Sequence, residues 1–270
     1  MLNVIFENYG IFLFVLCRTT GFVVFNPVFG RKNIPAMTRG AIAFVLAVFA
    51  LLQADRIMPA GQFDSVNINN VNTGENIIIT ALLLLKEFAF GYLIGTVVNL
   101  FFSVIAVSGT IIDAQMGLGM SQMYDPASNV QMPLAGNFYN IALTLMFFMT
   151  NSHISLIKLL MLSFQVSPVD SLYLNPDAGI YIMRLFGDIL TLSFKLAFPI
   201  MAAELIAETG IGIIMRAVPQ INVFVVGLQL KILVGLIVMI VSAPIAVWFF
   251  DGMLYQMNES VYEALLLLGR

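Results

Sequence analysis

Three long apolar runs carry charged residues in their interiors, and that combination leaves few folds open. Ile77 to Val107 contains Lys86 and Glu87. Ile180 to Ile214 contains Arg184, Asp188, Lys195, Glu204 and Glu208. Phe224 to Phe250 contains Lys231. Each run is longer than the roughly 20 residues needed to cross a bilayer as a helix. A charge at a lipid-facing helix centre costs about 2.5–3.5 kcal/mol on insertion scales. Arg18 and Asp113 lie in or beside apolar stretches as well. These charges cannot all face lipid, so they pair within the chain, meet partner subunits or line water.

Composition agrees with a membrane protein. The 270 residues are 60% hydrophobic and 10% charged, against about 25% charged in an ordinary soluble domain. The net charge of -3 argues against a nucleic-acid partner, and the single cysteine, Cys17, excludes an internal disulfide. The first ten residues have no basic side chain and include Glu7, which predicts no cleaved signal peptide.

The pattern predicts an all-α integral membrane protein of about six long, kinked helices. The first run, Tyr9 to Phe29, is interrupted at Arg18 and Asn26-Pro27. A basic turn at 30–35 leads to a short apolar run, 41–52, and then to an Asn-rich loop, 53–74. The positive-inside rule places the 30–40 turn in the cytoplasm and the 53–74 loop outside. Gly91 and Gly95 form a GxxxG pair suited to close helix packing. Ser152 can cap a helix over 153–164. Pro199 and Pro244 predict bends, and Asp251 to Arg270 reads as a short amphipathic tail. Pro168 and Pro176 mark the best internal boundary.

One segment has no use on a lipid-facing helix. Met116-Gly117-Leu118-Gly119-Met120 is followed by Met123, Tyr124, Asp125 and Pro126. Glycine loosens the backbone, proline removes a donor, and methionine fills irregular space. Irregular backbone at membrane depth is tolerated only inside protein or beside a water-filled cavity. A re-entrant loop over 110–132, forming a deformable apolar closure, is the expected structure.

Arg184 and Asp188 are four apart and can pair on one helical face. If the last two long runs fold back at Pro219, Lys231 comes level with Glu204 and Glu208 and can pair with either. No P-loop, HExxH or paired-cysteine motif is present, and His153 is the only histidine. The reading calls for no cofactor, no metal and no enzyme activity.

Three segments together resemble the FliR family of flagellar type III protein-export gate components. They are Arg-Thr-Thr-Gly-Phe at 18–22 with Asn-Pro-Val-Phe-Gly at 26–30, Met-Gly-Leu-Gly-Met at 116–120 with Tyr-Asp-Pro at 124–126, and Arg-Ala-Val-Pro-Gln-Ile-Asn-Val-Phe at 216–224. Injectisome counterparts share the last turn, whereas the Met-Gly-Leu-Gly-Met run favours the flagellar branch. The resemblance implies a pore-containing assembly with FliP, FliQ and FlhB subunits in the bacterial inner membrane at the flagellar basal body. Exported flagellar proteins would be the transient substrates. It further implies a FliP-like part over 1–166, a connector at 167–178 and a FliQ-like helical hairpin and tail over 179–270. Met116 to Pro126 would plug the pore. Arg18, Glu87, Arg184, Asp188, Glu204, Glu208 and Lys231 would serve assembly or buried pairing, and Arg216, Pro219, Gln220, Asn222 and Phe224 a turn that touches partners. A secondary transporter for a small solute and a poreless membrane scaffold are the competing readings.

Overall fold

The computed structural model describes residues 9–31, 33–53, 74–118, 133–167, 177–217 and 223–268. Among them are eight helices and no strand: α1 (Tyr9–Phe25), α2 (Ala36–Leu52), α3 (Gly74–Gln115), α4 (Leu134–Met149), α5 (Ser152–Val166), α6 (Asp177–Ala217), α7 (Val223–Val241) and α8 (Ala243–Leu268). Two of them, over Thr80–Gln115 and Gly179–Ala217, are long and apolar enough to cross a membrane. Counting α4 with α5 and α7 with α8 as broken spans gives four.

The chain folds into two compact units. The first comprises Met1–Leu100, Asn151–Arg184 and Gln256–Arg270; the second comprises Phe101–Thr150 and Leu185–Tyr255.

In the first unit, α1 ends where Asn26-Pro27 stops it. The Asn26 side chain accepts the backbone N–H groups of Val28 and Phe29, which closes an Asx turn in place of the next helical turn. Small residues set the approach of α1 to α3. A Cβ on Gly91 would overlap the Arg18 carbonyl, and a Cβ on Gly21 would sit 2.5 Å from the Phe88 carbonyl oxygen. Gly95 packs against Phe22 and Phe25 in the same way, so the GxxxG pair is a helix-packing device. Phe12 of α1 meets Phe44 of α2 edge to face, and Ala43, Ala47 and Ala50 form the buried face of α2.

In the second unit, the end of α3 meets the start of α4 backbone to backbone, with no room for a Cβ on Gly109 against Gly136. Phe102 and Phe147 stack edge to face between these helices, and Tyr139 and Phe250 do so between α4 and α8.

Several boundaries differ from expectation. The helix expected over 153–164 starts at Ser152, and its N-cap is Asn151 in the left-handed region at φ 58°, a conformation that asparagine tolerates. Helix α6 runs through Pro199 as one long helix, in agreement with the run read over 180–214. The bend expected at Pro244 lies between α7 and α8, a turn of 60°, with Pro244 in the first turn of α8, where its missing N–H costs nothing. The segment 251–270 is no separate tail: α8 continues to Leu268, with Val261, Ala264 and Leu265 buried.

Candidate functional site

Three centres of buried polarity or irregular backbone stand out. The first is Arg18, which has no exposed surface. Its Nε donates to Glu87 Oε2 at 2.6 Å. Its Nη1 donates to the Ser163 carbonyl at 2.7 Å and its Nη2 to the Ser167 carbonyl at 3.0 Å. Those carbonyls belong to the end of α5, where a cation is favoured by the helix dipole. Phe90 and Phe164 flank the guanidinium at 5.0 and 4.5 Å. Lys86 Nζ lies 3.0 Å from the other oxygen of Glu87. Arg18 and Glu87 therefore join α1, α3 and α5 within the chain. Sequence alone could not show this, since Glu87 is 69 residues away.

The second centre is the end of α3. Residues 110–115 are helical, so the irregular segment starts later than the expected 110. Asp113 is buried, and its carboxylate accepts the N–H groups of Leu134 and Ala135. It thus caps α4, whose own N-cap, Pro133, offers no side-chain bond. The helix ends in a turn: Gly117 N–H donates to the Ala114 carbonyl and Leu118 N–H to the Asp113 carbonyl. Gly117 has φ +76°, the region that favours glycine. Met116 is buried against Gly235 of α7. A cavity of about 350 Å³ opens beside it, lined by Asp113, Met116, Leu118, Phe138, Ile141 and Met239 among others. Gly119, Met120, Met123, Tyr124, Asp125 and Pro126 lie outside the described residues. Sequence reasoning does not single out Gly235; a glycine inside an apolar helix, eight residues after Gly227, is the available signal.

The third centre joins α6 and α7. Lys231 Nζ donates to Glu208 Oε1 at 2.9 Å, the cross-hairpin pairing expected from the fold-back. Glu208 is more than half exposed. Glu204 is instead buried, and neither of its carboxylate oxygens has a hydrogen-bond partner among the described residues. The expected Arg184–Asp188 pair does not form: both side chains are exposed, and neither has an ion-pair partner among the described residues. Four-residue spacing permits such a pair without requiring it. Arg216 is exposed near the end of α6, and Phe224 lies in the first turn of α7. Pro219, Gln220 and Asn222 lie outside the described residues.

These features define a class: a chain helical among its described residues, with membrane-length helices, buried charges tied inside it and an apolar rod that ends in a glycine turn. The chain belongs to the family of bacterial export proteins, family 1, which it matches over residues 9–257. It is similar to the flagellar biosynthetic protein FliR of Bacillus subtilis (strain 168), with 31% identity over 272 residues covering 99% of both chains. The FliR protein of Aquifex aeolicus (strain VF5) is 32% identical over 84% of this chain and 83% of its own. The Yop proteins translocation protein T of Yersinia pestis is 29% identical over 59% of this chain and 62% of its own.

Proposed function

We propose that this chain is a non-enzymatic subunit of the flagellar type III export gate, forming part of the pore and its plug for unfolded flagellar proteins crossing the inner membrane. The observation that carries this reading is the end-to-end likeness to a flagellar biosynthetic protein, read together with the glycine turn that ends α3. A gate of this kind must pass bulky chains and hold back ions when idle. Methionines seal against varied shapes because their side chains are unbranched and deformable. Met116, Gly117 and Leu118 would begin the plug, and Gly119, Met120, Met123, Tyr124, Asp125 and Pro126 would continue it. FliP, FliQ and FlhB are the partners in this reading, with 1–166 resembling FliP and 179–270 resembling FliQ. The exposed charges Arg184, Asp188 and Lys195 are then placed to meet those partners, since lipid would not accept them. The likeness to the Yop translocation protein supports a second reading, the matching subunit of an injectisome.

Deleting the gene should abolish motility and export of flagellar subunits, and the chain should co-purify with FliP and FliQ from native membranes. A deletion strain that still swims and exports would refute the reading. Removing residues 117–120 should leave the complex assembled but leaking ions. Unchanged ion flux in that complex would refute the plug.

A further inference from the structure

Gly235 lies within α7 and is buried. Its missing side chain leaves a notch that Met116 occupies lengthwise. A Cβ at 235 would stand 2.5 Å from Met116 Cγ, 2.8 Å from its sulfur and 2.7 Å from its methyl carbon. Met116 itself is 1% exposed. The next residue, Gly117, turns the chain in the left-handed region, and a Cβ there would meet Leu228 Cδ1 of α7 at 2.7 Å. Two glycines, one on each partner, thus let the end of α3 lie close against α7.

The contacts that hold this end differ in kind. Asp113 binds the start of α4 through two charge-assisted hydrogen bonds, which are strong and directional. Met116 meets Gly235 through dispersion contacts alone, and these fall away within an ångström of separation. The root at Asp113 is therefore firm and the contact at Met116 is releasable.

We infer that Met116 and Gly235 form a latch that holds the end of α3 against α7 at rest and parts each time a substrate passes. The inference rests on the export-gate reading above. Three rotatable bonds let the methionine leave the notch and return without backbone strain.

The test uses the whole export complex in native membranes. Cys17, the one cysteine, is first replaced by serine, and Met116→Cys and Gly235→Cys are then introduced together. A disulfide needs Cβ atoms about 3.5–4.5 Å apart; a Cβ at 235 would stand 2.5 Å from Met116 Cγ, which puts the Met116 Cβ, one bond further, no more than about 4 Å away. Oxidant should cross-link the pair and stop export of flagellar subunits, and reductant should restore it. The Cys17→Ser parent, which keeps Met116 and Gly235, should export with or without oxidant. Full export after complete cross-linking, or no cross-link in the assembled complex, would overturn the latch. If a strain lacking the gene also exports, the export-gate reading itself has failed; if that strain is silent while the cross-linked complex exports, the latch alone has failed. As a second variant, Gly235→Ala should expel Met116 and raise resting ion leak. Gly227→Ala on the same helix, where a Cβ makes only a 3.8 Å contact with Ile211, should not. Equal leak from the two assembled complexes would also overturn the proposal.

Discussion

Arg18 and Glu87 form an ion pair of 2.6 Å in which neither side chain has exposed surface. With Lys86 beside them, the cluster holds two cations and one carboxylate. Removing one member of a buried pair costs about 3–5 kcal/mol, because the other charge is stranded. Glu87→Gln should be the more damaging change, since it leaves two buried cations facing one another. Arg18→Met should cost less, as Lys86 still neutralises Glu87. Arg18→Lys should not rescue, because an ammonium cannot reproduce the fork that reaches Glu87, Ser163 and Ser167 at once. Yield and melting temperature of the purified complex rank these variants; a Glu87→Gln complex as stable as the native one would disprove the ranking.

Asp113 predicts a smaller and more local effect. Losing a cap costs about 0.5–2 kcal/mol, so Asp113→Ala should lower the melting temperature of the complex modestly. Asp113→Asn keeps one carbonyl acceptor for the α4 amides and should fall between the two. Hydrogen exchange at the Leu134 and Ala135 amides should rise in the same order, and unchanged exchange in Asp113→Ala would rule the cap out.

At Lys231, the residue in contact and the residue at risk differ. Lys231 touches Glu208, which is more than half exposed, whereas Glu204 is buried without a hydrogen-bond partner among the described residues. The Lys231 charge also acts on Glu204, so Lys231→Met should strand Glu204, while Glu208 remains open to solvent or to a partner. Complex yield should fall in Lys231→Met and recover when Glu204→Gln is added. Recovery with Glu208→Gln and none with Glu204→Gln would reverse the assignment.

Glycines separate by what surrounds them. Gly91→Ala places a Cβ on the Arg18 carbonyl, and overpacking of this kind costs about 1–3 kcal/mol. Gly187→Ala on α6 meets nothing within 4 Å and should gain about 0.5–1 kcal/mol from helix preference. Thermal unfolding of the two complexes checks the sign, and a stable Gly91→Ala complex would contradict the packing of α1 on α3.

Helices were legible where apolar runs were long, as in α3 and α6. The Lys231–Glu208 contact was legible because a hairpin maps sequence distance onto height. The job of Arg18 was not, because its partners come from α3 and α5 and no local spacing encodes them. The continuation of α8 was hidden by Asp251, which reads as the edge of a span although helical propensity carries on beyond it. Asp113 looked like one more misplaced charge. Its use became visible only with Leu134 beside it, 21 residues further along the chain.

The length of α3 has a consequence for where this protein can live. Its apolar portion, Thr80–Gln115, has 36 residues, which makes a rod of about 54 Å at 1.5 Å per residue. The hydrocarbon layer is about 30 Å thick. Tilt alone would have to approach 56°, outside the range of about 0–40° that membrane helices adopt. Lipid therefore cannot match this rod along its whole length, and its surplus must be lodged in protein; 56% of its apolar window is buried within this chain. Hydrophobic mismatch of this size makes α3 depend on a protein coat, which the buried faces at Phe90, Val97, Phe101, Val104 and Ile112 show is supplied in large part by the chain itself.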